Sequence, residues 1–233
     1  MQTSAVIPAF RAARTIGRVV EETRRHVASV LVVDDGSDDD TAEVARAAGA
    51  TVIHHPANRG KGASLRTGLH HVVAHGAARA VTLDADGQHL PDEIPKLLAA
   101  ADAAPDAIVV GERDKSGQTI RTAARFGNWV ADGLLRRFAR RALPDTQSGF
   151  RVYPLPATLA LGARGSRFEF ETEVLLRAAR AGIPIVGTPV RVHYPPPAER
   201  VSHYDPWRDT LRIIAVTLRV TYGPPPPPAG RAT

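Results

Sequence analysis

The chain of 233 residues contains no cysteine, and only three of its 30 basic residues are lysines, Lys61, Lys96 and Lys115. Without a thiol it can build no disulfide scaffold, no cysteine nucleophile and no Cys-ligated zinc site. Aromatic residues make up 5% of the chain, so the core is expected to be aliphatic. No run approaches the roughly 18 uncharged apolar residues that a spanning helix needs. The opening Met1–Pro8 has neither the basic region nor the apolar length of a secretory signal. The expected location is therefore the cytoplasm, with peripheral contact on the inner face of the membrane as the further option.

What is present excludes disorder throughout. Apolar residues account for 43% and charged residues for 23%, an ordinary globular balance. The length suits one large domain or two small ones. The net charge of +6 is unevenly placed: residues 1–110 hold 11 basic and 14 acidic residues, residues 111–233 hold 19 and 10. The second half is thus suited to meeting anions, whether phosphate, lipid headgroups or nucleic acid.

Short β-branched runs alternate with helical patterns through the first half. Strands are expected at Ser4–Pro8, Val30–Asp34, Thr51–His55, Ala80–Asp84 and Ala107–Gly111, with helices near 12–27, 39–48, 61–75 and 92–103. This spacing predicts βαβ units around a mostly parallel central sheet flanked by helices. Ser37-Asp38 and Pro91-Asp92-Glu93 read as helix starts. In the second half a helix is expected over 121–141, an extended segment at Thr146–Tyr153, a helix at Glu171–Ala181 and a strand at Ile185–His193. A last helix is expected from Trp207 to about Tyr222, followed by Gly223 and five prolines that read as a disordered tail. The expected division is a domain over 1–205, an amphipathic helix over 206–222 and the tail over 223–233.

Acidic loops follow three of the expected strands: Asp34-Asp35-Gly36-Ser37, Asp84-Ala85-Asp86-Gly87-Gln88-His89 and Gly111-Glu112-Arg113-Asp114. Open α/β sheets bind their ligands at such strand ends. Asp84 and Asp86 can point at one place if the chain bends at Gly87, and hard oxygen ligands of this kind suit Mg²⁺ or Mn²⁺, with a carbonyl oxygen added by Gln88. Alone, an Asp-x-Asp turn also fits a solvated loop. Two acidic turns in correct α/β order are harder to ascribe to chance. The histidines His54-His55, His70-His71 and His75 raise the question of a metal site, but adjacent side chains point apart, and His71 and His75, which share a helix face, read as exposed polar residues.

The ordered set Val6-Ile7-Pro8-Ala9-Phe10, Val32–Ser37, Asn58-Arg59-Gly60-Lys61-Gly62, Leu83–His89 and Asp145–Arg151 resembles the family 2 glycosyltransferases of GT-A fold. Within them it is most similar to the dolichyl-phosphate mannose synthase group of polyprenyl-phosphate sugar transferases. The resemblance implies an inverting, metal-dependent transfer from a GDP- or UDP-linked sugar to a polyprenyl-phosphate or other lipid-linked acceptor. It implies a nucleotide-sugar pocket formed by Pro8, Phe10, Asp34, Asp35, Asn58, Lys61, Gly62, Asp84 and Ala85. It implies metal ligation by Asp84, Asp86 and Gln88. Arg113 and Arg125 would neutralise phosphates, and Asp86 and Asp145 complete the catalytic set. Arg200, Ser202 and His203 would hold the acceptor phosphate, with His203 where lysine is usual. The family's Tyr-Asn-Glu run reads Phe10-Arg11-Ala12 here, so the carboxylate at position 12 is missing.

If the acceptor is a hydroxyl, of a glycan or a secondary metabolite, a carboxylate must take its proton, and Asp145, Glu171 and Glu173 are the candidates. A basic nucleic-acid or membrane-binding protein is the third possibility. No helix-turn-helix, RNP-type strand or zinc-finger spacing supports nucleic acid as a partner. A nucleotidyltransferase would need a glycine-rich basic loop near the start, which is absent. In the last helix Trp207, Leu211, Ile214 and Leu218 form a stripe flanked by Arg208, Arg212 and Arg219, which fits either the chain's own core or an anionic lipid surface. A homodimer or a membrane-anchoring partner is the remaining expectation.

Overall fold

The computed structural model describes residues 2–113, 133, 145–193 and 205–224. The expected helix at 121–141, with Arg125, therefore lies outside the described residues save Gly133, as do Arg200, Ser202, His203 and the proline tail beyond 224. The strands are β1 (Thr3–Ala9), β2 (Ser29–Asp34), β3 (Thr51–His54), β4 (Arg79–Thr82), β5 (Ile108–Arg113), β6 (Arg151–Pro154) and β7 (Ile185–Val190). The helices are α1 (Ala13–Thr23), α2 (Thr41–Ala47), α3 (Lys61–Ala74), α4 (Ile94–Ala103), a short α5 (Ala157–Ala160), α6 (Glu169–Ala181) and α7 (Pro206–Tyr222).

The strands form one sheet in the order β3-β2-β1-β4-β6-β5-β7. All pairings are parallel except those of β6, which runs antiparallel to both β4 and β5. Side chains alternate between two apolar layers, as period-2 geometry requires. Ala5 and Ile7 of β1, Val30 and Val32 of β2 and Val81 of β4 face α1, α2 and α4. Val6, Leu31, Val33 and Ala80 face α3 and α6. Valine, leucine, isoleucine and alanine fill both layers, with Phe150, Tyr153 and Phe170 the buried aromatic residues.

Several boundaries differ from the sequence reading. Helix α1 stops at Thr23, short of residue 27. Ser37 and Asp38 do not start α2: Ser37 donates to Asp34 and Asp38 pairs with Arg11, and the helix begins at Thr41. Strand β4 ends at Thr82, so Asp84 lies in the turn beyond it. Pro91–Glu93 is a 3₁₀ turn leading into α4. Residues 145–150 form a loop, with strand only from Arg151, because Ser148 N–H bonds back to the Asp145 carbonyl. Among the described residues beyond Val190 a single β-bridge remains, between Val192 and His89.

Candidate active site

The sheet order reverses between β1 and β4, since β2 and β3 lie to one side of β1 and β4 to the other. Chains leaving neighbouring strands at such a point diverge and leave a crevice. A cleft of about 320 Å³ opens there, lined by Pro8, Ala9 and Phe10 from the end of β1 and by Asp84, Ala85 and Asp86 from beyond β4. Asn58, Gly60 and Lys61 approach from the start of α3, and Arg167 and Phe168 from the loop before α6.

The turn after β4 is built to present its acids. Gly87 takes φ +74°, which a side chain rarely adopts, and this reverses the chain between Asp86 and His89. Thr15 of α1 donates to the Ala85 carbonyl at 2.7 Å and pins the turn from below. Gln88 braces Asp86 twice, its backbone N–H donating to Oδ1 and its side-chain amide to Oδ2, each at 2.9 Å. Burial and the neighbouring Asp84 charge push the Asp86 carboxyl up to about 6, against the pull of the Gln88 N–H, Lys61 and Arg113. Asp84 moves the other way. Burial opposes its ionisation, but the Lys61 ammonium, 2.6 Å from Oδ1, outweighs it and holds the carboxyl well below the usual range. His89 is buried and pushed down to about 4, so it is neutral at pH 7 and accepts weakly from Asp84 N–H at 3.4 Å.

A carboxylate whose ionisation is opposed by the charge of its neighbour, with both at the mouth of a cleft, makes a pair chemically suited to a divalent cation. Mg²⁺ and Mn²⁺ sites of this kind use one or two carboxylates and complete the shell with water and substrate phosphates. Among the described residues no group of three or more His, Cys, Asp or Glu side chains forms an all-protein cage. Asp84 and Asp86 thus fit an ion shared with a bound diphosphate. Lys61 also pairs with Glu171 Oε2 at 2.9 Å, while the second Glu171 oxygen is buried without a hydrogen-bond partner.

The other acidic turn is spent differently. Asp34 accepts from Ser37 N–H and Ser37 Oγ and lies 2.9 Å from His54 Nδ1. Asp35 accepts from Arg59 N–H and Gly60 N–H and lies 2.8 Å from His55 Nδ1, whose other nitrogen meets Thr67. Asp35 still borders the cleft; Asp34 is buried away from it. Gly62 serves packing: a Cβ there would lie 2.5 Å from Phe170 Cβ and 2.6 Å from the Arg167 carbonyl. Of the residues expected around the nucleotide-sugar, Pro8, Phe10, Asp35, Asn58, Lys61, Asp84 and Ala85 are brought together, and Asp34 and Gly62 stand behind them. At the end where position 12 lacks a carboxylate, Asp39 borders the cleft instead and accepts the Ala13 N–H.

On the far side of the Asp84 turn, Arg113 grips Asp145 through Nε at 2.6 Å and Nη2 at 3.0 Å. Three features play roles that the sequence did not signal. Arg151 is wholly buried, with no carboxylate partner; its guanidinium donates to the Thr146, Ser148 and Glu171 carbonyls and the Tyr153 hydroxyl. It thereby braces the loop carrying Asp145 against the first turn of α6. Glu173 and Glu169 hold the backbone N–H groups of residues 164–167, which carry Arg167 to the cleft. Phe168 lies under the Lys61 ammonium, 5.7 Å from ring centre to nitrogen.

Residues 4–158 match the family model described as Glycosyl transferase family 2. A UDP-N-acetylglucosamine--dolichyl-phosphate N-acetylglucosaminyltransferase of Methanococcus voltae is 28% identical over 212 residues, covering 81% of this chain and 84% of the relative. An undecaprenyl-phosphate mannosyltransferase of Micrococcus luteus is 27% identical over 202 residues, covering 82% and 83%. A polyprenol monophosphomannose synthase of Mycolicibacterium smegmatis is 28% identical over 209 residues, covering 81% and 76%. Among solved structures, glucosyl-3-phosphoglycerate synthase of Mycobacterium tuberculosis in complex with Mn²⁺, uridine diphosphate and phosphoglyceric acid superposes with a TM-score of 0.75. It covers 96% of this chain and 79% of that one at 22% identity, a likeness of fold. With the cleft at the sheet's switch point, a GT-A-like architecture and a family match over more than half its length, the chain belongs to glycosyl transferase family 2.

Proposed function

We propose that this glycosyltransferase moves a sugar from a nucleotide-diphospho-sugar, UDP- or GDP-linked, onto a polyprenyl-phosphate or other lipid-linked phosphate, with inversion at the anomeric carbon. Pro8, Phe10, Asp35 and Asn58 hold the nucleoside end of the donor, and Lys61 faces its diphosphate. Asp84 and Asp86 would hold a divalent cation, Mg²⁺ or Mn²⁺, with Gln88 beside them. When bound, that ion neutralises charge on the departing diphosphate. The acceptor oxygen forms its bond to the anomeric carbon on the face opposite the diphosphate. The bond to the β-phosphate oxygen breaks, and its electron pair leaves with the nucleoside diphosphate. Arg113 would neutralise that charge from beside the Asp84 turn, and Arg125, outside the described residues, is its expected companion. Arg200, Ser202 and His203, also outside them, are the proposed acceptor-phosphate contacts.

The observation that carries the acceptor is the engagement of the carboxylates. A hydroxyl acceptor needs a base, whereas a phosphate oxygen is already anionic at neutral pH. Asp145 is locked in its two-point pair with Arg113. Glu173 accepts from the N–H groups of Arg164 and Gly165 and pairs with Arg177 and Arg219. The names of the relatives point to the same acceptor class. A second reading, transfer to a hydroxyl, draws on one observation: the buried, unpartnered Oε1 of Glu171. Transfer from a panel of labelled UDP- and GDP-sugars, to detergent-dispersed polyprenyl phosphate and to soluble glycans, separates the two. The expected product is an acid-labile lipid-phosphate sugar of inverted anomeric configuration, formed with Mn²⁺ and not with EDTA. A glycosidic bond to a glycan hydroxyl would select the second reading.

A further inference from the structure

Among the described residues, the large apolar side chains left exposed are Trp207, Leu211, Leu218 and Tyr222, at 76%, 63%, 43% and 77%. All four lie on α7. At 3.6 residues per turn they fall, with half-buried Ile214, within an arc of about 80°. The opposite side of the helix is the packed one: Ile213, Val216 and Val220 are buried, and the last two join Leu176 of α6. The stripe that could have served the core thus faces outward, and a different set of residues does the packing.

We infer that the outer face of α7 docks on the surface of an anionic phospholipid bilayer. The charge pattern selects this occupant. Arg208, Arg212 and Arg219 line one flank of the stripe with exposed side chains, each held from behind by a carboxylate, Asp205, Asp209 and Glu173 in turn. Among the described residues of α7 no carboxylate lies on the apolar stripe itself: Asp205 caps the helix through the N–H groups of Trp207 and Arg208, and Asp209 is buried. Trp207 and Tyr222 stand at the two ends, and such amphipathic rings settle at the headgroup level. Long arginine side chains reach past an immersed apolar stripe to phosphate. No helix among the described residues is long and apolar enough to cross a membrane, so this contact lies on the bilayer.

The placement couples to the site. Arg219 reaches Glu173, and Arg180 donates to the carbonyls of Val220 and Gly223, so α7 is bolted to α6. Helix α6 begins at the residues that meet Lys61 and brace the loop to the cleft. The inference deepens the lipid-acceptor reading, on which it rests for its purpose, while the face stands on its own geometry.

Flotation of the full chain with vesicles that contain no polyprenyl phosphate tests it without involving catalysis. Binding to vesicles of phosphatidylcholine with one-third phosphatidylglycerol is expected, weakening with salt and absent on pure phosphatidylcholine. The triple variant Trp207→Ser, Leu211→Ser, Leu218→Ser changes only exposed positions and is expected to bind at least tenfold more weakly with an unchanged melting temperature. Absence of binding by the wild-type chain, or equal binding by the triple variant, would overturn the inference. So would sedimentation showing a dimer that the triple variant dissolves, since a second copy would then own the face. Flotation with no transfer to polyprenyl phosphate would sink the acceptor reading alone.

Discussion

The two acidic turns look alike in sequence and do opposite things in the fold. In the turn after β2 every carboxylate oxygen has found a permanent partner: Ser37, His54, His55 and the N–H groups of Arg59 and Gly60. In the turn after β4 the carboxylates crowd each other at an open cleft, and Asp86 is pushed up to about 6. The first turn fixes the start of α3 and leaves Asp35 at the border of the cleft. In the second, Asp84 is held by Lys61, whereas Asp86 accepts only from the neutral Gln88 and has no cation within hydrogen-bond distance among the described residues, the condition expected of a group whose partner arrives with the substrate. A burial-and-partner inventory, rather than the motif, separates the two.

The largest effect expected from this difference is on turnover. Asp86→Asn should lower kcat/KM by about 10³-fold, roughly 4 kcal/mol of transition-state stabilisation, with no loss of folded protein in circular dichroism. If Asp86→Asn unfolded the chain, the contrast between the turns would fail. Next comes Arg151→Met, which removes the buried donor to the carbonyls of Thr146, Ser148 and Glu171. A loss of about 3 kcal/mol in urea unfolding is expected, with Arg151→Lys recovering part of it. Asp35→Asn should cost about 2 kcal/mol of stability through the weakened contacts to His55 and the α3 start. Its effect on kcat should be far smaller than that of Asp86→Asn.

What the sequence made legible was local. Alternating apolar residues located β1, β2 and β5 within a residue or two, and Asp84-x-Asp86-Gly87 announced a bend with two acids on it. What it could not show were partners far along the chain. Residues 20 positions apart join His54 to Asp34 and His55 to Asp35, so the first turn read as ligand-binding as readily as the second. The four acceptors of Arg151 include a carbonyl 20 residues away, and no spacing rule marks a buried arginine paired only with neutral groups. In α7 both sides carry apolar residues, and periodicity alone did not tell the Ile213–Val216–Val220 side from the Trp207–Leu211–Leu218 side. Packing against Leu176 decided it. The antiparallel β6 was hidden for the same reason: its neighbours are β4 and β5, strands far from it in sequence.

A smaller effect sharpens the contrast through pH. The Asp86 carboxyl is raised in the folded chain, so the folded state binds its proton more tightly than the unfolded chain does. Its charge therefore costs stability above about pH 6, and the cost fades as pH falls toward 4. In EDTA, Asp86→Asn should be more stable than the wild type by about 1 kcal/mol at pH 8, with the gap closing near pH 4. Asp35→Asn should be less stable at both. Differential scanning calorimetry across that range reads both variants, and a gap that widened on acidification would contradict the assignment of Asp86.

The most direct test is a calorimetric titration of UDP and GDP into the wild-type chain and into Asp86→Asn, each with Mn²⁺ and with EDTA. If the Asp84–Asp86 turn holds a cation against a diphosphate, one nucleotide binds the wild-type chain at least tenfold more tightly with Mn²⁺, and the variant loses that gain while staying folded. Equal affinity with and without Mn²⁺, or an undiminished gain in the variant, would contradict the account.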